Sequence, residues 1–213
     1  SSSVQAALEN PYGQSKLASE AYVEALAQES DNPVVIYRLP GVFGKWCKPN
    51  YNSVVATFCN NIANDLPIQI NDSSALLELV YVDDVVSSFI EVLRRENLRG
   101  ASRVSIEPTY STTLSALAQQ ISAFKYCRTT LISEPVGTGF ARALYATYVS
   151  YLPQDQFAYS IPVHEDERGV FVEMLKTKDS GQFSYFTAHP GITRGGHYHH
   201  TKTEKFLVIK GDG

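Results

Sequence analysis

The chain has 213 residues, of which 44% are hydrophobic, enough to bury one large core or two smaller ones. A net charge of -4 provides no basic field, and the longest apolar runs are strand-sized, so neither a nucleic-acid partner nor membrane insertion is expected. Cys47, Cys59 and Cys127 share no metal or redox spacing, and an odd number cannot all pair, which reads as free thiols in a reducing cytoplasm.

The first part of the chain alternates helix and strand. A helix is expected from Asn10-Pro11, with Asn as cap and Pro at the first helical position, to about Gln28, its apolar stripe formed by Leu17, Ala21 and Ala25. Val34 to Leu39 is a short apolar run that suits a buried parallel strand. A helix from about Val54 to Asn64 follows, then a strand at Leu76 to Tyr81, a helix at Val85 to Arg95 and a strand near Val104 to Ile106. The next helix runs from Leu114 to Lys125 behind Thr112 or Thr113 as cap. This order predicts an α/β fold, a parallel sheet covered by helices.

From Tyr151 onward the texture changes. Short strands at Phe171 to Leu175 and Phe183 to Phe186 are separated by Asp, Gly and Pro turns, as in an all-β barrel. The boundary is placed near Leu152-Pro153, giving domains at 1–152 and 153–213.

Near the end of the chain stands Gly191, five residues, His197-Tyr198-His199, four residues, Glu204, six residues, Gly211. On a strand, two histidines two apart point to one face, and Glu204 can return to that face across a tight turn before the apolar strand Phe206 to Ile209. Imidazole and carboxylate together suit Zn, Fe, Ni or Mn, and three ligands leave a position open for a further ligand, water or substrate. Four of the five histidines fall between His189 and His200, which singles this segment out. The spacing resembles the first motif of the cupin superfamily, and the resemblance implies that His197, His199 and Glu204 bind a divalent metal, zinc foremost.

Tyr12 and Lys16 lie one turn apart on the first helix, so both face one way, and a neighbouring ammonium makes a phenol a better proton donor or acceptor. The same spacing recurs at Tyr198 and Lys202, so context must separate the two. The first copy sits in Asn10-Pro11-Tyr12-Gly13-Gln14-Ser15-Lys16, with a serine cluster upstream. It is followed by Tyr37-Arg38-Leu39-Pro40-Gly41-Val42-Phe43-Gly44 and by Val80-Tyr81-Val82-Asp83-Asp84-Val85. This succession resembles the C-terminal half of a Rossmann-like extended short-chain dehydrogenase/reductase. The resemblance implies NADPH, or NADH, as cofactor, Tyr12 as catalytic acid/base, and Lys16 on the nicotinamide ribose, with Leu39 also against the cofactor. A serine of the opening cluster would meet the substrate carbonyl: Ser3, because Gln5 then takes the place of the polar residue usual two positions later, or alternatively Ser2. Where the family commonly carries Asn, this chain has Gly41, so a substrate amide contact is not expected there.

A reductase half followed by the start of an all-β cupin barrel, with Gly44-Lys45-Trp46-Cys47-Lys48-Pro49-Asn50-Tyr51-Asn52-Ser53 between strand and helix, narrows the family. The chain is similar to bifunctional UDP-4-keto-6-deoxy-N-acetylhexosamine reductases of bacterial capsule synthesis. That similarity implies a UDP-sugar substrate, a homodimer, C3 epimerisation by the cupin and then reduction at C4. In the loop, Lys45 and Lys48 could meet a diphosphate and Trp46 and Tyr51 could stack on a ring, or the only tryptophan could anchor a solvated loop to the core. Arg194-Gly195-Gly196-His197-Tyr198 and Asp166-Glu167-Arg168-Gly169 also resemble stretches of cupin-type sugar 3,5-epimerases, one of which bears the base. His197 cannot freely be both ligand and base, so metal binding is assigned to it and the base is left open. A rival expectation is a plain reductase or epimerase carrying a non-catalytic metal-binding module. The chain opens on Ser1 and ends at Gly213, soon after the metal motif closes, so it is expected to be an internal segment of a longer protein, with the glycine-rich phosphate loop upstream.

Overall fold

A computed structural model describes residues 1–30 and 32–211 of the chain. The expected helix forms as α1, Pro11–Glu29, because Asn10 Oδ1 accepts from Gly13 N at 2.7 Å and Pro11 fits the first turn. Its buried face is not the expected one. Gly13, Glu20 and Ala27, seven residues apart, face inward, whereas Leu17, Ala21 and Ala25 are exposed. The reason is that α1 is seated by a close backbone approach at Gly13 and an ion pair at Glu20 rather than by an apolar stripe.

Two three-stranded sheets form the α/β half. The first, in the order β1-β2-β5, is wholly parallel and consists of β1 (Ser2–Ser3), β2 (Val34–Leu39) and β5 (Ala101–Val104). The second takes the order β3-β4-β6, with β3 (Gly41–Phe43) parallel to β4 (Leu76–Tyr81) and β6 (Thr109–Thr113) antiparallel to β4. The expected strand near Val104–Ile106 ends at Val104, and Ile106 is instead a buried residue of the irregular stretch that follows.

Helices α2 (Val54–Ala63), α3 (Val82–Leu93), α4 (Leu114–Thr130) and α5 (Gly139–Val149) complete this half. Thr113, not Thr112, caps α4, its Oγ1 accepting from Ala116 N at 3.1 Å. Helix α3 begins three residues earlier than expected, and Asp83 and Asp84 in its first turn favour that start by complementing the helix dipole. The main core lies where α2, α4 and α5 meet, around Phe43, Val55, Phe58, Ile121, Leu144 and Tyr148. A second core, with Tyr37, Val80 and Val92, fills the space under α3. All three cysteines are free, and Cys59 lies in the main core, where burial pushes its thiol up.

The C-terminal part carries an antiparallel meander, β7 (His164–Asp166), β8 (Gly169–Lys176) and β9 (Gln182–Phe186). The expected start of a cupin barrel is therefore present only as this open sheet, and no barrel closes among the described residues. The run Phe206 to Ile209, expected as a strand, is irregular and exposed, because no strand among the described residues pairs with it and a lone strand leaves its backbone polar groups unmet. The meander is fastened to the α/β half by main-chain bonds from Lys176 N to Leu131 O at 2.9 Å and from Ser133 N to Lys176 O at 2.8 Å. Lys178 adds an ion pair to Glu134 at 2.7 Å. No helix among the described residues is long and apolar enough to cross a membrane.

Candidate active site and metal centre

Parallel pairing sets Ser3 opposite Leu39, at the carboxyl ends of β1 and β2, the edge where ligands of such sheets bind. The chain leaves Ser3 into a 3-10 turn, Val4–Ala7, that the Ser3 hydroxyl itself caps by accepting from Gln5 N at 3.2 Å. The hydroxyl proton is left over for another acceptor. Then α1 begins, and a Cβ on Gly13 would collide with the carbonyl oxygens of Gln5 and Leu8. Glycine thus lets the first turn of α1 rest on the backbone that follows Ser3. Tyr12 stands on that turn, 52% exposed, and Lys16 Nζ lies 5.6 Å from its ring centre. The four residues singled out for the reductase site, Ser3, Tyr12, Lys16 and Leu39, therefore belong to three elements that meet at one edge.

Ser2 and Ser3 differ in what they touch. The Ser2 hydroxyl donates to Glu20 Oε1 at 2.5 Å, so it is committed to α1. Glu20 is only 3% exposed and accepts from Arg38 Nε at 2.9 Å and from Arg38 Nη2 at 2.7 Å. The Arg38 guanidinium holds its carboxyl at about 2, against an ordinary value of 4.5. Arg103 on β5 approaches the same carboxylate at 3.6 Å and pairs with Glu24 at 2.5 Å. Reading the sequence missed this cluster. Its one signal was Arg38, a charge set inside an otherwise apolar strand.

The loop from Gly44 to Ser53 leaves β3 at the same edge of the second sheet. Trp46 does not anchor it: the indole is 81% exposed, on a residue with φ of 61°. The loop is instead pinned by its main chain, with Tyr151 Oη donating to Cys47 O at 2.5 Å and Trp46 N donating to Ser150 Oγ at 3.4 Å. Lys45 lies 3.9 Å from Asp83, and Lys48 sits 5.7 Å from the Tyr51 ring centre. At Gly41 a Cβ would already lie 3.0 Å from the Leu79 side chain and 3.1 Å from Glu78 O, so an asparagine has no ready space there.

His197, His199 and Glu204 converge although no strand carries them. One ligand atom from each lies within 4.8 Å of the others, and the two imidazole rings are 4.8 Å apart, edge to face. His199 Nε2 and Glu204 Oε1 are 3.1 Å apart. Ligands at about 2.1 Å from a tetrahedral ion stand about 3.4 Å from one another, so a small inward movement of the widest pair would complete the set. The nitrogen and oxygen donors fit a zinc-type ion. Lys202, also 3.1 Å from Glu204 Oε1, holds that carboxyl below its ordinary range. Elsewhere in the C-terminal part, Asp166 and Arg168 form a paired contact at 2.5 Å, and Arg194 stacks over Phe186 at 5.5 Å.

Residues 2–106 match the NAD dependent epimerase/dehydratase family, and residues 164–213 match the polysaccharide biosynthesis C-terminal domain. The first half of the chain is therefore similar to epimerase/dehydratase domains. Over 210 residues the chain is 58% identical to UDP-2-acetamido-2,6-beta-L-arabino-hexul-4-ose reductase of Pseudomonas aeruginosa, covering 99% of this chain and 56% of that protein. It is 30% identical over 87 residues to dTDP-4-dehydro-6-deoxyglucose reductase of Escherichia coli, covering 40% of this chain and 28% of that protein. Among solved structures, the capsular polysaccharide assembling protein CapF from Staphylococcus aureus superposes with a TM-score of 0.84 at 43% identity. That match covers 94% of this chain and 55% of that one, so the chain spans little more than half the length of these two relatives. Thermus thermophilus UDP-glucose 4-epimerase, solved with NAD, shares the epimerase/dehydratase fold at 18% identity, with a TM-score of 0.54 over 67% of this chain and 54% of that one.

Proposed function

We propose that the protein is a bifunctional nucleotide-sugar enzyme that epimerises C3 of a UDP-4-keto-6-deoxy-N-acetylhexosamine and then reduces its C4 ketone, towards UDP-N-acetyl-L-fucosamine. The observation that carries the reading is that Ser3 pairs with Leu39 at the carboxyl ends of β1 and β2, while the first turn of α1, which bears Tyr12 with Lys16 beside its ring, rests on the backbone just after Ser3. The name of the 58% identical relative, a reductase of a UDP-linked 4-ketosugar, supports the substrate class.

Ser3 keeps a hydroxyl proton for the C4 carbonyl oxygen, whereas the Ser2 proton is engaged by Glu20. NADPH, when bound, supplies hydride to C4. Lys16 and Leu39 would hold its nicotinamide end, with the ammonium on the ribose. As C4 becomes tetrahedral, negative charge develops on its oxygen, Tyr12 gives that oxygen its phenolic proton, and an alcohol results. The exposed Trp46 and Tyr51, with Lys45 and Lys48, offer stacking surface and positive charge for the uridine diphosphate.

Residues 153–213 are proposed as a cupin-type domain beside the reductase half at 1–152. A ketone at C4 acidifies the C3 proton, so a base in this domain can remove and return it before reduction fixes the product. His197, His199 and Glu204 would hold a divalent ion, zinc by its donor set, which would supply positive charge for that step. The base remains unassigned, since His197 is kept as ligand. Two copies are proposed to pair as a homodimer.

The test is an assay of substrate-dependent NADPH oxidation by the full-length protein, with the product configuration read by NMR. Turnover with inversion at C3 is expected. NADPH oxidation that leaves C3 untouched would reduce the reading to a plain reductase, and absence of oxidation with any UDP-4-ketosugar would end it.

A further inference from the structure

Resting on Tyr12 as proton donor, we propose that Glu20 is a positioning residue of the reductase site, fixing the helix that carries Tyr12 and Lys16 against the strands that end in Ser3 and Leu39. Its partners are what single it out. Ser2 directly precedes Ser3 on β1, Arg38 directly precedes Leu39 on β2, and Glu20 lies one helical turn beyond Lys16 on α1. One buried carboxylate is thus bonded to the chain neighbours of two site residues and shares a helix face with a third.

A contact of this kind does more than hold α1 down. The Arg38 guanidinium meets both oxygens of Glu20, and a two-point contact restricts rotation as well as sliding of the helix. Apolar packing cannot do this for α1, because Leu17, Ala21 and Ala25 are exposed and its inward face offers only Gly13 and Ala27 besides Glu20. A buried ion pair adds little net stability over an apolar pair of the same size, so its retention here points to geometry. Among the described residues, Arg103 from β5 and Glu24 from the next turn of α1 are the remaining charged groups at the cluster, and both are more exposed than Glu20.

The test is a cycle of Glu20→Gln and Tyr12→Phe in the full-length protein. Glutamine keeps the shape and removes the charge that orients Arg38. On the wild-type background, kcat for 4-keto reduction should fall about 10- to 100-fold, the scale of a small misplacement, while KM for the UDP-sugar stays nearly constant. In the Tyr12→Phe background the same change should cost almost nothing further, because residues acting through one group are not additive. If Glu20→Gln does not fold, as circular dichroism would reveal, Ser2→Ala removes only one bond to the carboxylate and carries the same cycle with a several-fold effect. Equal losses in both backgrounds, or an unchanged kcat with only a lower melting temperature, would overturn the proposal. Normal turnover of Tyr12→Phe alone would overturn the assignment of Tyr12 and this inference with it.

Discussion

Tyr12 and Lys16 stand on a helix seated by a buried ion pair and two backbone carbonyls, whereas His197, His199 and Glu204 lie in an irregular stretch in which all three are exposed. The first pair is positioned by long-range structure, since Glu20 and Arg38 are 18 residues apart. The second set is positioned by itself, through contacts such as His199 to Glu204, five residues apart. Chemistry that needs a proton held against one oxygen demands the first arrangement, whereas a metal site can draw on the ion to order its own ligands. The halves should therefore respond differently to the same kind of damage.

The largest difference concerns chemistry. Tyr12→Phe removes one oxygen from a preformed site, so 4-keto reduction should fall by roughly 10² to 10⁴ while NADPH affinity, measured by titration, survives through Lys16. Near-normal turnover would break the comparison at its firmer end. In the other half, the full-length protein should purify with about one divalent ion per chain, and His199→Ala should lose it. Elemental analysis reads this directly, and absence of metal from the unaltered protein would remove the second site.

Smaller effects test the seat of α1. Gly13→Ala forces a methyl group into the carbonyls of Gln5 and Leu8 and should cost about 3 kcal/mol in denaturant unfolding, the upper range for overpacking. Acid should act through Glu20. Its carboxyl titrates near 4.5 when the chain is unfolded and at about 2 when folded, so the ionised folded form is favoured. That stabilisation is complete above about pH 4.5 and is lost as pH falls towards 2. Partial solvent access through Arg38 and Arg103 reduces it to something on the order of 2 kcal/mol. Unfolding of wild type and Glu20→Gln at pH 6 and pH 3 should show the gap between them closing at the lower pH.

Local signals explain what could be read from the sequence. Asn10 and Thr113 as caps, Pro11 at the first helical position, and the apolar runs of β2 and β4 each carry their own reason for the element they form. What could not be read depended on partners. The exposed stripe of α1 looked like a core face until Gly13 and Glu20 claimed the opposite side. Helix α5 went unnoticed because it starts at Gly139 with no side-chain cap. The apolar run Phe206 to Ile209 has the composition of a strand, but composition does not supply a neighbour to pair with. The cluster of His197, His199 and Glu204 was legible for the opposite reason, since their spacing alone brings them together.

Deuterium exchange tests the central claim, that two halves perform two steps, most directly. With the UDP-4-ketosugar in deuterated water and no NADPH, the full-length protein should exchange the C3 proton, and Tyr12→Phe should exchange it at the wild-type rate. His197→Asn should abolish exchange, whether His197 serves as ligand or as base. Wild-type exchange by His197→Asn would contradict the account and leave a reductase with a structural appendage.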